Sequence, residues 1–302
     1  MKNFLIRPYR WAILLSIVLT CSFALVLLDT FVFPKAVAEV TPQNNTSGQT
    51  QSAEQGDAIT TNNSYEDDHI KIKIETAQEY DTTFYVADIQ LSDASYLKTA
   101  LAEDTYGRNI KETTSEIAEN HKAIFAINGD YYGFRDSGYV LRNGVLYRSS
   151  VRKSGDDEAL VIDKEGNLSI VNENQVSAQS LSDEGVWQVL SFGPALVENS
   201  EIVVNSGSEV SQSQSSNPRT AIGQVSSLHY IVIVADGRTN ESKGLSLLEL
   251  AQEFTKRGCT VAYNLDGGGS STMYLNGKVI NNPTDGRNSG EREVSDIVYV
   301  GY

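Results

Sequence analysis

Three pieces of one stretch decide the fold: Tyr230–Ala235 (YIVIVA), Ser246–Phe254 (SLLELAQEF) and Thr260–Leu265 (TVAYNL), the last running into Asp266-Gly267-Gly268-Gly269-Ser270-Ser271. The first and third pieces are short apolar runs rich in β-branched residues, which marks them as buried strands. The middle piece has helical spacing. Ser246 and Glu249 make a capping box, Leu247, Leu248, Leu250, Ala251 and Phe254 form an apolar face, and Gly258 is placed to end the helix. Strand, helix, strand reads as a βαβ unit, with the two strands expected as parallel neighbours.

Working outward, strands predominate. Ile70–Ile74 alternates with period two, and Thr83–Ile89, Ala123–Ile127, Ala159–Ile162, Leu168–Val171, Val186–Leu190 and Val294–Val300 are further strand-like runs. Thr113 and Glu116 make a second capping box, for a short helix ending near His121. Tyr139–Leu141 and Val145–Tyr147 flank Arg142-Asn143-Gly144, a hairpin signal. Few helices and a mixed, strand-rich sheet make the fold class α+β.

The front of the chain is different. Lys2, Arg7 and Arg10 precede an apolar run from Trp11 to Leu28, so residues 1–38 read as a signal peptide or signal anchor with the N-terminus inside. Ala36-Val37-Ala38 has the form of a cleavage site, whereas the length of the run favours a retained anchor. Either way the domain is expected outside the cytoplasm, at the cell surface or secreted. Residues 39–69 are polar and acidic and hold no Lys or Arg, which reads as a disordered spacer lifting a domain of residues 70–302 off the membrane.

Net charge is −15 without a basic run, which excludes the usual nucleic-acid binder. Of two cysteines, Cys21 lies in the apolar run and Cys259 in an apparent strand, so neither an intradomain disulfide nor a cysteine zinc site can form. Cys259 reads as a small buried hydrophobe. His69, His121 and His229 offer no catalytic partner for it.

The chemistry gathers at strand ends. Ala123–Ile127 runs into Asn128-Gly129-Asp130-Tyr131-Tyr132, Tyr230–Ala235 into Asp236-Gly237-Arg238, and Val261–Tyr263 into Asn264 and the glycine loop. A Ser-rich loop, Asn205–Asn217, ends in Pro218-Arg219-Thr220-Ala221-Ile222-Gly223. Asn-Gly and Asp-Gly are ordinary turn formers. Three consecutive glycines after an aspartate cost backbone entropy that a turn does not require, and suit close approach of amides to an oxyanion. No Gly-Lys-Ser/Thr follows, so the loop is not that of a nucleotide hydrolase.

Asn264 to Met273, together with Arg219–Gly223, Asp236-Gly237-Arg238, Asn128–Tyr131 and Glu291-Arg292-Glu293-Val294, resembles the phosphodiester glycosidase family over residues 80 to 302. Bacterial members are often described as exopolysaccharide-related. The cysteine framework of the animal members is missing here. The resemblance implies hydrolysis of the bond between a sugar C1 and a phosphate that stays on its partner, in a cell-surface or extracellular glycan. For that reaction the available carboxylates are Asp130, Asp236 and Asp266; Asp266 and Asp236 are expected to do the carboxylate chemistry, with Asp130 as a third candidate. Arg219, Arg238 and Arg292 would bind phosphate, aided by the amides of Gly267, Gly268 and Gly269. Asn128 and Asn264 would take sugar hydroxyls, Ser270, Ser271 and Glu291 would complete the substrate site, and Tyr131 or Tyr132 would stack on a ring. No cofactor is required by that chemistry, although Asp and Asn donors would suit a divalent cation such as Ca²⁺. Two other readings stay open: a metal-dependent phosphodiesterase cutting P–O, and a non-catalytic glycan-binding or wall-organising protein.

Overall fold

The structure is a computed structural model and describes residues 8–39, 58–152, 157–208, 216–285 and 288–302. In chain order, helix α1 (Pro8–Phe31) is followed by β1 (Lys35–Glu39), β2 (Ile59–Thr60), β3 (Ser64–Glu66), β4 (Ile70–Glu79), β5 (Thr82–Leu91), β6 (Leu97–Leu101) and β7 (Thr105–Arg108). Next come α2 (Thr114–Asn120), β8 (Phe125–Asn128), β9 (Val140–Arg142), β10 (Val145–Arg148), β11 (Glu158–Ile162) and β12 (Leu168–Asn172). Then follow α3 (Ala178–Asp183), β13 (Gln188–Leu190), β14 (Ala195–Glu198), β15 (Glu201–Ile202), β16 (Arg219–Ser226) and β17 (His229–Ala235). The chain closes with α4 (Leu247–Lys256), β18 (Val261–Asn264), β19 (Met273–Leu275), β20 (Lys278–Val279), β21 (Thr284–Asp285), β22 (Asn288–Ser289) and β23 (Asp296–Val300).

The fold is α+β. A nine-stranded sheet runs β15-β14-β18-β16-β17-β5-β4-β3-β2, and a five-stranded sheet runs β20-β19-β8-β23-β6. Alternation along the large sheet supplies two apolar faces. Phe84, Val86, Ile231, Ile233 and Ala221 point to one side and pack under Leu247, Leu250, Ala251 and Phe254 of α4. Ile72, Ile74, Ala87, Ile89, Ile222, Val232 and Val234 point to the other and meet Phe125, Ile127 and Val298 of the five-stranded sheet. The outer face of that sheet, through Ala126 and Ile297, is covered by Ile117 and Ala118 of α2. The result is a layered helix–sheet–sheet–helix stack, with alternate residues of β4 facing solvent. A second five-stranded sheet, β10-β9-β13-β11-β12, carries α3 and its own apolar cluster.

Local signals in the sequence perform as their chemistry requires. Both capping boxes form, Thr113 with Glu116 and Ser246 with Glu249. Asn143 and Gly144 link β9 to β10 with φ of 49° and 77°, the left-handed pair a tight hairpin needs. Cys259 is buried in the α4 cluster as a free thiol.

Two expectations are corrected. The strands flanking α4 are parallel but not neighbours, because β16 lies between β17 and β18 and pairs antiparallel with each. The segment Pro218–Gly223, read as the end of a serine-rich loop, supplies that strand. Its apolar content, Ala221-Ile222-Gly223, is too short to announce a strand whose burial comes from both neighbours. Of Asn205–Asn217 itself, residues 209–215 lie outside the described residues. The second correction concerns the spacer. Ile59–Thr60 and Ser64–Glu66 are strands that extend the large sheet beyond β4, so the domain's ladder starts ahead of Ile70. The remainder of the spacer, residues 40–57, lies outside the described residues.

Candidate active site

One end of the two-sheet stack collects the polar residues. Asn128 ends β8, Asn264 ends β18 and Ala235 ends β17, while Arg219 begins β16 and Asp296 begins β23. The antiparallel registers place Arg219 opposite Ala235, Ala221 opposite Asn264, and Ile297 opposite Asn128. Residues from both ends of different strands therefore meet at one edge, and Arg219 arrives there from an amino end.

Asn128 ties this end together. Its fully buried amide donates to the Asp266 carbonyl at 2.7 Å and accepts from Thr220 Oγ1 at 2.7 Å and from the Thr272 amide at 3.3 Å. The Asp266 amide donates to the Gly129 carbonyl at 3.3 Å. The glycine loop is thus bolted to the β8 exit. Asn264 is buried too, with Nδ2 donating to the Gly193 carbonyl at 2.8 Å.

The glycines have separate reasons. A Cβ on Gly267 would stand 2.8 Å from the Pro218 carbonyl, and one on Gly268 would stand 2.8 Å from Arg238 Nη2. One on Gly269 would meet Arg292 Nη2 at 2.8 Å and Asp285 Oδ1 at 2.7 Å. Gly268 also has φ of +66°, which disfavours any side chain. Two guanidinium groups therefore lie directly on the loop. Arg292 is held by Asp285, whose Oδ1 accepts from Nε at 3.0 Å and from Nη2 at 2.5 Å. Arg238 is exposed, and its Nε reaches Asn217 Oδ1 at 3.4 Å.

The three candidate carboxylates sit in unlike surroundings. Asp130 is buried: Oδ1 accepts from the Tyr132 amide at 2.9 Å, and Oδ2 from Arg142 Nη2 and the Ser191 amide, both at 2.9 Å. Asp236 is buried and accepts from the Asn282 amide at 2.8 Å, Asn282 Nδ2 at 3.1 Å, Asn281 Nδ2 at 3.3 Å and Tyr85 Oη at 3.4 Å. Burial raises its pKa above the ordinary carboxylate value, with these donors opposing. Asp266 is partly exposed and accepts from the Gly267 amide at 2.9 Å. Desolvation raises its pKa, against the pull of Ser270, the Gly267 amide, Arg292 and Arg135.

Asp296 was not singled out by the sequence. It is fully buried at the start of β23, and Arg142 joins it to Asp130, with Nε and Nη2 donating to Asp296 Oδ2 at 2.9 and 2.8 Å. Burial and the neighbouring Asp130 push its pKa up to about 7, against the attraction of Arg142. A lone acidic residue inside the run Val294–Val300 was the available signal, since a charge on a buried strand demands a partner. Arg142 was hidden as a turn residue. Arg135 was also missed. Its guanidinium stacks 5.5 Å from the Tyr131 ring and 5.2 Å from the Phe192 ring, and Tyr131 stacks on Phe134 at 4.8 Å. Together these residues form an aromatic and cationic rim beside Asp266.

Other expected residues are placed away from an open surface. Arg219 is buried with Nε donating to the Leu245 carbonyl at 2.9 Å. Glu291 spends its carboxylate on the Ser115 amide, at 3.0 Å, in the first turn of α2. Tyr132 is buried and stacks on Tyr106 at 5.5 Å. Ser270 and Ser271 are buried in the loop, and Ser271 Oγ, Thr272 Oγ1 and Asn264 Oδ1 have no hydrogen-bond partner among the described residues. Buried polar atoms without partners are costly, and a polar ligand or water beside the loop would satisfy them. No group of three or more His, Cys, Asp or Glu among the described residues is arranged to hold a metal ion.

Residues 121–301 match the sequence pattern described as phosphodiester glycosidase. Among curated proteins, the human N-acetylglucosamine-1-phosphodiester alpha-N-acetylglucosaminidase is 30% identical over 211 residues, covering 63% of this chain and 40% of its own. The SPbeta prophage-derived uncharacterized protein YomE of Bacillus subtilis (strain 168) is 32% identical over 202 residues, covering 65% and 31%. The matches therefore span well under half the length of these relatives. The zebrafish N-acetylglucosamine-1-phosphodiester alpha-N-acetylglucosaminidase catalytic domain, solved as auto-inhibited by its pro-peptide, superposes with a TM-score of 0.62 at 20% identity, over 77% of this chain and 83% of that one. A hypothetical protein from Synechocystis gives 0.56 at 16% identity, over 77% and 62%. At such identities these structures speak for the fold.

Proposed function

The chain belongs to the phosphodiester glycosidase family, and from that premise we propose that it is an extracytoplasmic hydrolase that cleaves the glycosidic bond of a sugar-1-phosphodiester in a cell-surface or extracellular glycan. The observation that carries this is the glycine loop. It presents one partly exposed carboxylate, Asp266, with the guanidinium groups of Arg238 and Arg292 packed on the next glycines. A glycosyl phosphate needs that combination: a carboxylate for the anomeric carbon and fixed positive charge for the departing phosphate. The leaving group is a phosphate monoester, which departs without strong help from a general acid, so one partly exposed carboxylate can suffice.

In this reading Asp266 works at C1, as nucleophile or as base for the attacking water. Arg292, oriented by Asp285, and Arg238 hold the phosphate oxygens, and guanidinium suits them because it donates in a planar fork. Tyr131 and Arg135 face the sugar from the rim. Asp130 and Asp236 become positioning residues, the first holding Arg142 and the Ser191 turn, the second holding Asn281 and Asn282 against the loop. Asn128 fixes the loop rather than the sugar, whereas Asn264 Oδ1, without a partner among the described residues, stays available to a sugar hydroxyl.

N-acetylglucosamine is the first sugar to test, given the activity named for the human relative. Hydrolysis in ¹⁸O-labelled water should place the label in the released sugar. Label in the phosphate would instead establish cleavage of P–O and overturn the proposal. Asp266→Asn should lower turnover by about 10²–10⁴-fold while leaving the circular dichroism spectrum and melting curve intact. Near-full activity in that folded variant would remove Asp266 from the mechanism.

A further inference from the structure

Helix α1 is long and apolar enough to cross a membrane: Tyr9–Phe31 has a mean hydropathy of 2.5, and none of it is buried in the protein. The chain does not drift away after it. Lys35–Glu39 pairs antiparallel with β7, Lys35 opposite Arg108 and Glu39 opposite Thr105. Ala38 packs against the cluster of Leu101, Tyr106, Tyr132 and Val140. Asn109 Nδ2 donates to the Thr30 carbonyl at 3.3 Å and the Phe33 carbonyl at 3.1 Å, capping the end of the helix from the domain. Gly107 makes the approach feasible, since a Cβ there would stand 2.9 Å from Ala36 Cα. Val32, Phe33 and Val37 remain exposed on this segment, as apolar residues at a bilayer surface can be.

The polar stretch therefore cannot set the distance between helix and domain. Its front end is already on β7, and its far end returns to β3 through Ile59 and Thr60. The candidate site is close to the same edge. β7 packs on the turn Tyr132–Phe134: the Asn109 amide donates to the Gly133 carbonyl at 3.1 Å, and Tyr106 stacks on Tyr132 at 5.5 Å. That turn sits between Tyr131 and Arg135, the rim beside Asp266. β1 is therefore connected to the rim through β7 and that turn.

We propose that α1 is retained as an anchor whose outer end is docked on β7, holding the active-site rim at the membrane surface, so that the preferred substrate is a sugar-1-phosphodiester borne on a lipid of that membrane. This rests on the function proposed above. A retained anchor places enzyme and lipid-borne substrate on one surface, raising effective concentration without any new contact. The docking adds orientation, which a flexible stalk would not.

The test uses the full chain reconstituted in phospholipid vesicles. One substrate is a sugar-1-phosphodiester of a long-chain alcohol embedded in the same vesicles, and the other carries the same sugar phosphate on a short, water-soluble alcohol. Ala38→Asp puts a carboxylate against an apolar cluster and should undock the segment while leaving residues 58–302 unchanged. Gly107→Ala is the second variant, acting from the β7 side. Each should lower the rate on the embedded substrate by about tenfold or more and leave the soluble substrate within about twofold. Equal rates for wild type and both folded variants on the embedded substrate would overturn the proposal. So would wild-type turnover of the soluble substrate alone, which leaves the glycosidase reading standing. Turnover of neither sugar phosphodiester fails that reading first and this one with it. An N-terminal tag should stay on the mature membrane-bound protein, and its release by cleavage after Ala38 would also overturn the proposal.

Discussion

Gly269 shows how much one hydrogen atom decides. Its Cα hydrogen faces the Arg292–Asp285 pair, and a methyl there would have to displace a guanidinium fixed by two hydrogen bonds. Gly269→Ala should therefore leave the fold nearly intact and weaken substrate binding, seen as a rise in KM of about tenfold or more, the loss of roughly one charge-assisted hydrogen bond. An unchanged KM would remove Arg292 from the phosphate subsite. The residue types were legible. The glycines were read as room for backbone amides to approach an oxyanion, whereas in the structure protein groups stand against them; the arginines were named from the sequence. What approached each glycine was not, because Arg238 and Arg292 come from other loops.

At the scale of elements, the site depends on loops being held to one another rather than on any strand. Asn128 belongs to β8, yet its amide group serves Asp266, Thr220 and Thr272. Asn128→Ala should leave those buried groups unpaired and cost about 1–3 kcal/mol, measured by urea or thermal unfolding. Activity should fall more than stability accounts for, because the glycine loop loses its bolt. A stability equal to that of wild type would mean water replaces the amide without loss. Strands and caps were readable element by element, as Ser246–Glu249 and Thr113–Glu116 show. Strand order was not. Sequence around α4 gives two strands of the same direction, but only the insertion of β16, paired on both sides, makes them second neighbours.

Across the whole molecule, buried acids tie stability to pH. Asp296 carries a folded pKa of about 7 against an ordinary 3.8, and Asp236 and Asp266 are shifted in the same direction. The folded state then binds more protons than the unfolded chain between those values, so stability contributed by Asp296 is full below about pH 4 and is lost as pH rises through about 7. Asp296→Asn should remove that dependence: the Tm of wild type should fall relative to the variant between pH 4 and pH 7. A constant difference in Tm across that range would mean that Asp296 stays charged throughout, held by Arg142.

By itself the sequence determined the kinds of groups present, the strand-rich α+β class, both helix caps and the glycine loop, since each follows from neighbours within a few residues. The tertiary structure alone decided how each carboxylate is surrounded. Asp130, Asp236 and Asp266 look alike as strand-end acids, and Asp296 looks like a strand residue. Their burial and their donors come from residues far along the chain: Arg142 and Ser191 for Asp130, Asn281 and Asn282 for Asp236. Solvation and hydrogen bonding are set by three-dimensional neighbours, and those are what distinguish partly exposed Asp266 from buried Asp130 and Asp236.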